Sequence, residues 1–298
     1  DYTVLKSCNA QFAAPRARIT LPGGVKSYDK VFVMTQCHGD EYFHFLVEAM
    51  PRVTLMLDIL QENLDIKIAV NAPGPSYEFH KAYMYEILEL LGLGKDRVIF
   101  IGEEIHANLA VLPSSTRCYM PDTQTINMLR HALLKGLHRR SGGVPRPPRP
   151  VIVLIVRLSG RALKNNDEVR EALKQEFPSA EVVEFFGTGP IGSQLKLFAT
   201  ASLIVGPHGA GLSNMMVSPL HTPVLEIGAV DCPSSYMNLA LKLQHIYARH
   251  PGNDDWTTPC GTKYEPNIGE ILLLVRDLLE AQRRADAADP PRGVVARL

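Results

Sequence analysis

The sequence predicts an α/β protein made of two Rossmann-like domains, each around a mostly parallel sheet, facing each other across a central cleft. Three observations predict it. Short apolar runs of strand length alternate with amphipathic runs of helix length along most of the chain. A proline-rich stretch near the midpoint interrupts the alternation, which then restarts. In the second half an apolar strand, Leu203 to Val205, empties into Gly206-Pro207-His208-Gly209-Ala210-Gly211 ahead of a short helix near Leu212. That is the kind of corner where open parallel sheets place their ligands.

Residues 1 to 30 read as an entry segment, because Pro15 and Pro22-Gly23-Gly24 break any long element. Lys30 to Thr35 is an apolar strand, and Gly39 to Leu60 carries apolar residues at helical spacing with a kink or break at Pro51. Strands follow at Ile66 to Val70, Arg97 to Ile101 and Leu109 to Leu112, with helices at Tyr77 to Leu91 and Asp122 to Leu137. Ser141 to Pro150 holds four prolines and two glycines in ten residues and cannot continue a helix or central strand. It sets the expected domains at 1–145 and 146–298. Beyond it come a strand at Val151 to Val156, a helix at Asp167 to Phe177, a strand at Ala180 to Phe186 and a helix at Gly192 to Phe198. The glycine corner follows, then a strand at Pro223 to Ile227 and helices at Tyr236 to Leu243 and Gly269 to Arg284. Arg292 to Leu298 reads as a loose tail.

Composition narrows the class. With 298 residues, 46% hydrophobic and 21% charged, the chain has the make-up of a soluble globular protein with one large or two ordinary cores. Its 31 basic and 31 acidic residues cancel, so no global field or basic block favours nucleic acid. No apolar run is long enough to span a bilayer. The five cysteines (Cys8, Cys37, Cys118, Cys232, Cys260) include no Cys-x-x-Cys pair, which argues against structural zinc. Cys232 and Cys260 flank one region and could pair, as could two of the three in the first half.

Three clusters could carry chemistry. At the glycine corner, backbone N–H groups of a first helical turn point at whatever anion sits there, and His208, Asn214 and Glu226 lie close by in sequence. On the first long helix Glu41, His44, Glu48 and Arg52, at spacings of three, four and four, form a polar stripe on an otherwise apolar surface. This is either a solvated face with ion pairs or a cleft-lining stripe carrying a base. After the linker, Arg157 ends a strand and Arg161, Lys164, Asn165 and Asn166 follow it; guanidinium groups suit phosphate.

The run Gly206-Pro207-His208-Gly209-Ala210-Gly211-Leu212-Ser213-Asn214, followed by Pro223-Val224-Leu225-Glu226-Ile227, resembles the signature of glycosyltransferase family 61. Tyr42-Phe43-His44, Glu48 and Pro51-Arg52 resemble its second motif, and the Arg157, Arg161 and Asn165 stretch a third, slightly compressed. The family more often has Asn where Glu41 stands. The resemblance spans about Val31 to Tyr247. It implies the GT-B architecture and an inverting transferase that takes a sugar from a UDP-sugar donor to a hydroxyl of an oligosaccharide or glycoprotein acceptor. Among the donors known in the family, a pentose such as xylose is preferred here. The donor pyrophosphate is then held by Gly209, Ala210, Gly211 and Leu212 with Arg157, Arg161 and Asn165. His208 donates to the leaving phosphate, and Glu226 or Asn214 fixes the nucleoside or the turn. Glu48, oriented by His44, is the expected general base, with Asp40, Glu41 and His38 as rivals. No cofactor or metal is expected, since the sequence holds no Asp-x-Asp triplet to clamp a metal on the diphosphate. Family members mostly work in the Golgi or elsewhere in the secretory lumen behind an N-terminal anchor, expected here ahead of Asp1; without one the protein would be cytoplasmic. Two other readings stand beside this one. A catalytically inactive glycan- or nucleotide-sugar-binding protein of the same fold shares every motif. A nicotinamide-dependent oxidoreductase shares the alternation but lacks Gly-x-Gly-x-x-Gly after an early strand.

Overall fold

The computed structural model describes residues 25–74, 80–101, 104–114, 116–144, 147–253 and 259–289. The entry segment up to Gly24, Cys8 and the tail from Arg292 lie outside the described residues. The chain divides into two compact units, one ending at Gly136 and the other beginning at Leu137. The division falls within helix α4 (Thr123–Ser141), ahead of the proline-rich stretch. Gly136 supplies a reason. A Cβ there would collide with the Leu90 carbonyl, so α4 lies tight against the end of α3 (His80–Leu90) up to that residue.

The first unit holds four parallel strands, β1 (Lys26–Val33), β2 (Lys67–Asn71), β3 (Val98–Ile101) and β4 (Ile105–Val111), in the order β3-β2-β1-β4. The chain steps outward from β1 to β3, then returns so that β4 lies on the other side of β1. The carboxyl ends of β1 and β4 therefore flank the point where strand order reverses, which in open α/β sheets is where a crevice forms. Phe32, Phe45, Leu46, Met50, Ile68, Met84, Ile87 and Leu88 are buried in the core.

The second unit holds β5 (Val151–Ile155), β6 (Glu181–Phe185), β7 (Ala201–Pro207), β8 (Pro223–Ile227) and β9 (Ile246–His250), all parallel, in the order β6-β5-β7-β8-β9. β5, β7 and β8 are buried along their whole length, which is why each reads as an unbroken apolar run rather than an alternating one. Helices α5 (Asn166–Glu176), α6 (Ile191–Ala199), α7 (Ser235–Lys242) and α8 (Ile268–Ala288) accompany them. Asn267 caps α8 by accepting from the Glu270 N–H, a contact worth about 1 kcal/mol. The order reverses between β5 and β7, so Arg157 and His208 leave the sheet at one switch point. No helix among the described residues is long and apolar enough to cross a membrane.

Candidate functional site

In the first unit the chain leaves β1 through Met34 to Gly39. Asn71, at the end of β2, accepts from the Gln36 N–H at 2.9 Å and donates to the Gln36 carbonyl at 2.8 Å. A Cβ on Gly39 would strike the Asn71 amide, so this clamp needs glycine there. The next helix opens as a wide π-helical turn, His44–Ala49, before α1 (Met50–Thr54) and α2 (Leu57–Glu62). Pro51 removes the N–H that would tighten the turn into α geometry, and such turns recur at functional sites.

The π-helical turn brings His44 and Glu48 together. The Glu48 carboxylate, with no exposed surface, accepts from His44 Nδ1 at 2.7 Å, from the Tyr119 N–H at 2.6 Å and from Gln36 Nε2. Its backbone carbonyl accepts from Thr116 Oγ1 at 2.9 Å. Tyr119 takes a left-handed φ of 62°, uncommon for a non-glycine residue, to aim that N–H. Burial, then the Glu48 charge, pushes the Tyr119 hydroxyl and the buried Cys37 thiol up, so both stay protonated near neutrality. Arg52 donates to the carbonyls of Met34 and Thr35, and burial pushes its guanidinium down to about 10 against the pull of Glu48.

The other expected first-unit residues are placed differently. His38 has a φ of 54° and forms an exposed 3.6 Å pair with Glu41. Asp40 takes part through its carbonyl, which accepts from His80 Nδ1 and Tyr83 Oη. Sequence reading passed over Gln36, Asn71, Thr116 and Tyr119. A polar residue closing an apolar strand, as Asn71 does, is a signal that could have flagged the first pair.

In the second unit His208 Nδ1 donates to Glu226 at 2.6 Å, and its N–H donates to the Ile227 carbonyl. Gly228 makes room, because a Cβ there would lie 2.8 Å from His208 Cβ. Glu226, fully buried on β8, also accepts from Tyr247 Oη at 2.6 Å and pairs with Arg249 at 3.0 Å, both on β9. Arg249 further donates to the carbonyls of Cys232 and Pro233. Cys232 and Cys260 form a disulfide, and Cys118 is disulfide-bonded as well. His208 lies within 4.8 Å of both sulfurs of the Cys232–Cys260 pair. Oxidised together, these sulfurs lack the thiolate character that a metal ligand needs.

Arg157, at the end of β5, lies over Gly209. The Gly209 backbone is extended at φ 165°, open to any residue, but a Cβ would collide with the guanidinium. Glycine serves proximity here, not a special φ. Burial, and then neighbouring Arg161, push the Arg157 guanidinium below its usual value. Among the described residues neither arginine pairs with a carboxylate, and Arg157 Nε donates to the Gly160 carbonyl at 3.3 Å. A cavity of about 280 Å³ opens beside Arg157, lined also by Val156, Ser159, Phe185, Phe186 and Gly211 among others. From Ala210 the chain enters a 3₁₀ helix, Ala210–Val217, in which Leu212 and Asn214 are buried. Asn165 stands apart, its amide donating to the Pro266 carbonyl.

The profile of the Glycosyltransferase 61 family matches residues 42–225. That span takes in His44, Glu48, Arg157 and His208 and stops one residue before Glu226. Among solved structures, the bacterial iron-containing dodecameric glycosyltransferase TibC from enterotoxigenic E. coli H10407 is similar at 13% identity and a TM-score of 0.37, over 71% of this chain and 61% of that one. The dodecameric iron-containing heptosyltransferase TibC in complex with ADP-D-beta-D-heptose is similar at 13% identity and a TM-score of 0.33, with the same coverage. The chain thus spans about three fifths of the length of these two structures. No curated protein matches it. With more than half of its length matched and the three motif clusters in order, the chain belongs to glycosyltransferase family 61.

Proposed function

We propose that this protein is an inverting glycosyltransferase that moves a sugar, a pentose such as xylose, from a UDP-sugar to a hydroxyl of a glycan acceptor. One observation carries the reading: the Arg157 guanidinium lies over Gly209 at the switch point of the second sheet, within electrostatic reach of Arg161, and neither has a carboxylate partner among the described residues. Adjacent like charges are unfavourable unless an anion joins them. A diphosphate fits, gripped by paired guanidinium donors and by the N–H groups that open the 3₁₀ helix at Ala210. The cavity between Phe185, Phe186 and Arg157 takes the nucleoside. His208, held by Glu226, donates to the departing phosphate. The two arginines neutralise the leaving group without a metal clamp. In the first unit the His44–Glu48 pair takes the proton of the acceptor hydroxyl as its oxygen attacks the anomeric carbon, and one displacement inverts the configuration there. The Cys232–Cys260 and Cys118 disulfides support an oxidising compartment, the secretory lumen.

A thermal-shift panel tests the donor. UDP-xylose, UDP-arabinose and UDP-N-acetylglucosamine are compared with an ADP-sugar. A ligand present at about one hundred times its Kd stabilises the folded state by about 2.7 kcal/mol. The reading expects a UDP-sugar to raise the melting temperature and Arg157→Ala to abolish the rise. If no UDP-sugar shifts the transition, the reading fails.

A further inference from the structure

Resting on the transferase reading above, we infer that His44 Nε2, rather than the Glu48 carboxylate, is the atom that takes the acceptor proton, with Glu48 and Gln36 as positioning residues behind it. Glu48 has no exposed surface, and its carboxylate already holds three donors: His44 Nδ1, the Tyr119 N–H and Gln36 Nε2. An acceptor hydroxyl cannot reach it without breaking that shell, whereas His44, itself only 5% exposed, engages the shell through Nδ1 and leaves Nε2 outside it. An ionised carboxylate only accepts, so the proton between it and His44 resides on Nδ1, and the lone pair of the neutral ring is at Nε2. The ring is faced by Glu48, His38, Phe43 and Tyr119. The Gln36 side chain shows how firmly the carboxylate is specified. Turning its NH₂ to Glu48 leaves Gln36 Oε1 buried without a partner among the described residues, while Asn71 clamps its backbone at both ends. Such an unpaired buried oxygen costs stability, and it is the consequence of keeping an acceptor-only group at position 48.

The step balances as follows. The acceptor O–H proton moves to His44 Nε2, giving an imidazolium beside the Glu48 carboxylate. The acceptor oxygen forms its bond to the anomeric carbon, and the anomeric C–O bond to the diphosphate breaks with its electron pair leaving on UDP. The imidazolium then returns its proton to water. A carboxylate that orients the ring and stabilises the imidazolium without itself taking the proton is sufficient for this.

Two measurements on the full chain decide it. Nitrogen-15 spectra of histidine-labelled protein, with His44 assigned by its loss in His44→Gln, should show the Nδ1-protonated neutral tautomer at pH 8, and Glu48→Gln or Gln36→Leu should erode it. An Nε2-protonated ring or a persistent imidazolium at that pH overturns the inference. UDP release from UDP-xylose, UDP-arabinose and UDP-N-acetylglucosamine is the second readout. His44→Gln should lower kcat by about 10²–10⁴ with the donor KM unchanged, and imidazole should restore turnover to His44→Gly. His44→Gln keeping turnover within tenfold of wild type, or formate restoring Glu48→Gly, overturns the inference while leaving the transferase reading in place. A wild-type protein that releases no UDP from any of the three removes both. Variants that retain the thermal shift with donor are folded, which separates lost chemistry from lost structure.

Discussion

Each unit carries a histidine whose Nδ1 donates to a fully buried glutamate: His44 to Glu48 at 2.7 Å in the first, His208 to Glu226 at 2.6 Å in the second. The pairs look alike and differ in charge. Glu226 has a cation of its own, Arg249 at 3.0 Å, and a phenol, Tyr247. Burial and the Glu226 charge push that phenol up, so it remains a donor. Glu48 is held by an amide, a backbone N–H and the histidine, none of which carries a permanent charge, while Arg52, a cation that feels it, donates instead to the Met34 and Thr35 carbonyls. Hence a proton arriving on His44 completes a neutral pair, whereas a proton on His208 adds a positive charge to a carboxylate already neutralised. The first arrangement suits a group that receives a proton from a neutral hydroxyl. The second suits a group that faces the phosphate of a departing diphosphate, where a net positive charge is useful.

The largest effect expected in breaking this comparison comes from removing the cation of the second pair. Arg249→Met leaves Glu226 buried without it, and loss of one partner of a buried ion pair costs about 3–5 kcal/mol. Urea unfolding should show a loss of that size, much of it recovered in Arg249→Met/Glu226→Met. A double variant no more stable than the single would mean that Arg249 acts through its bonds to the Cys232 and Pro233 carbonyls instead. Next comes the disulfide beneath His208. With its cysteines 28 positions apart in the sequence, its removal in Cys232→Ala/Cys260→Ala should cost about 2–4 kcal/mol, read as a lower melting temperature. An unchanged transition would show that the arginine and Tyr264 hold this loop unaided, for Tyr264 Oη accepts from the Ala229 N–H in the same turn. The smallest effect sharpens the comparison on the donor side. Gly209→Ala displaces the Arg157 guanidinium, the flexible end of a side chain, and not backbone. It should leave stability unchanged and weaken UDP binding about tenfold, or about 1.4 kcal/mol, measured by calorimetry. Undiminished affinity would remove Arg157 from the diphosphate site.

Much of the fold is legible in the residues. The apolar runs of β5, β7 and β8 and the strand–glycine–helix corner read directly, because fully buried parallel strands carry little but apolar side chains. β9 does not read as a strand. Ile-Tyr-Ala-Arg-His mixes polarity, since Tyr247 and Arg249 turn to a buried carboxylate on β8 rather than to solvent or core. The π-helical turn is similarly hidden: helical spacing places Glu41, His44, Glu48 and Arg52 on one stripe, whereas the folded turn pairs only the middle two. Glu41 stays in solvent and Arg52 is bound to the β1 exit carbonyls.

What the sequence by itself determined is most of the order of elements and the residue types at two strand exits, since these depend on periodicity and spacing along the chain, while the family followed from the resemblance of three motifs. Tertiary structure alone decided which groups meet there. Gln36 and Tyr119 reach Glu48 from separate loops, with Asn71 at the end of β2 clamping Gln36 from behind, and Tyr247 and Arg249 reach Glu226 from a neighbouring strand. Strand order brings those ends together, and it is set by long-range burial that no local pattern encodes.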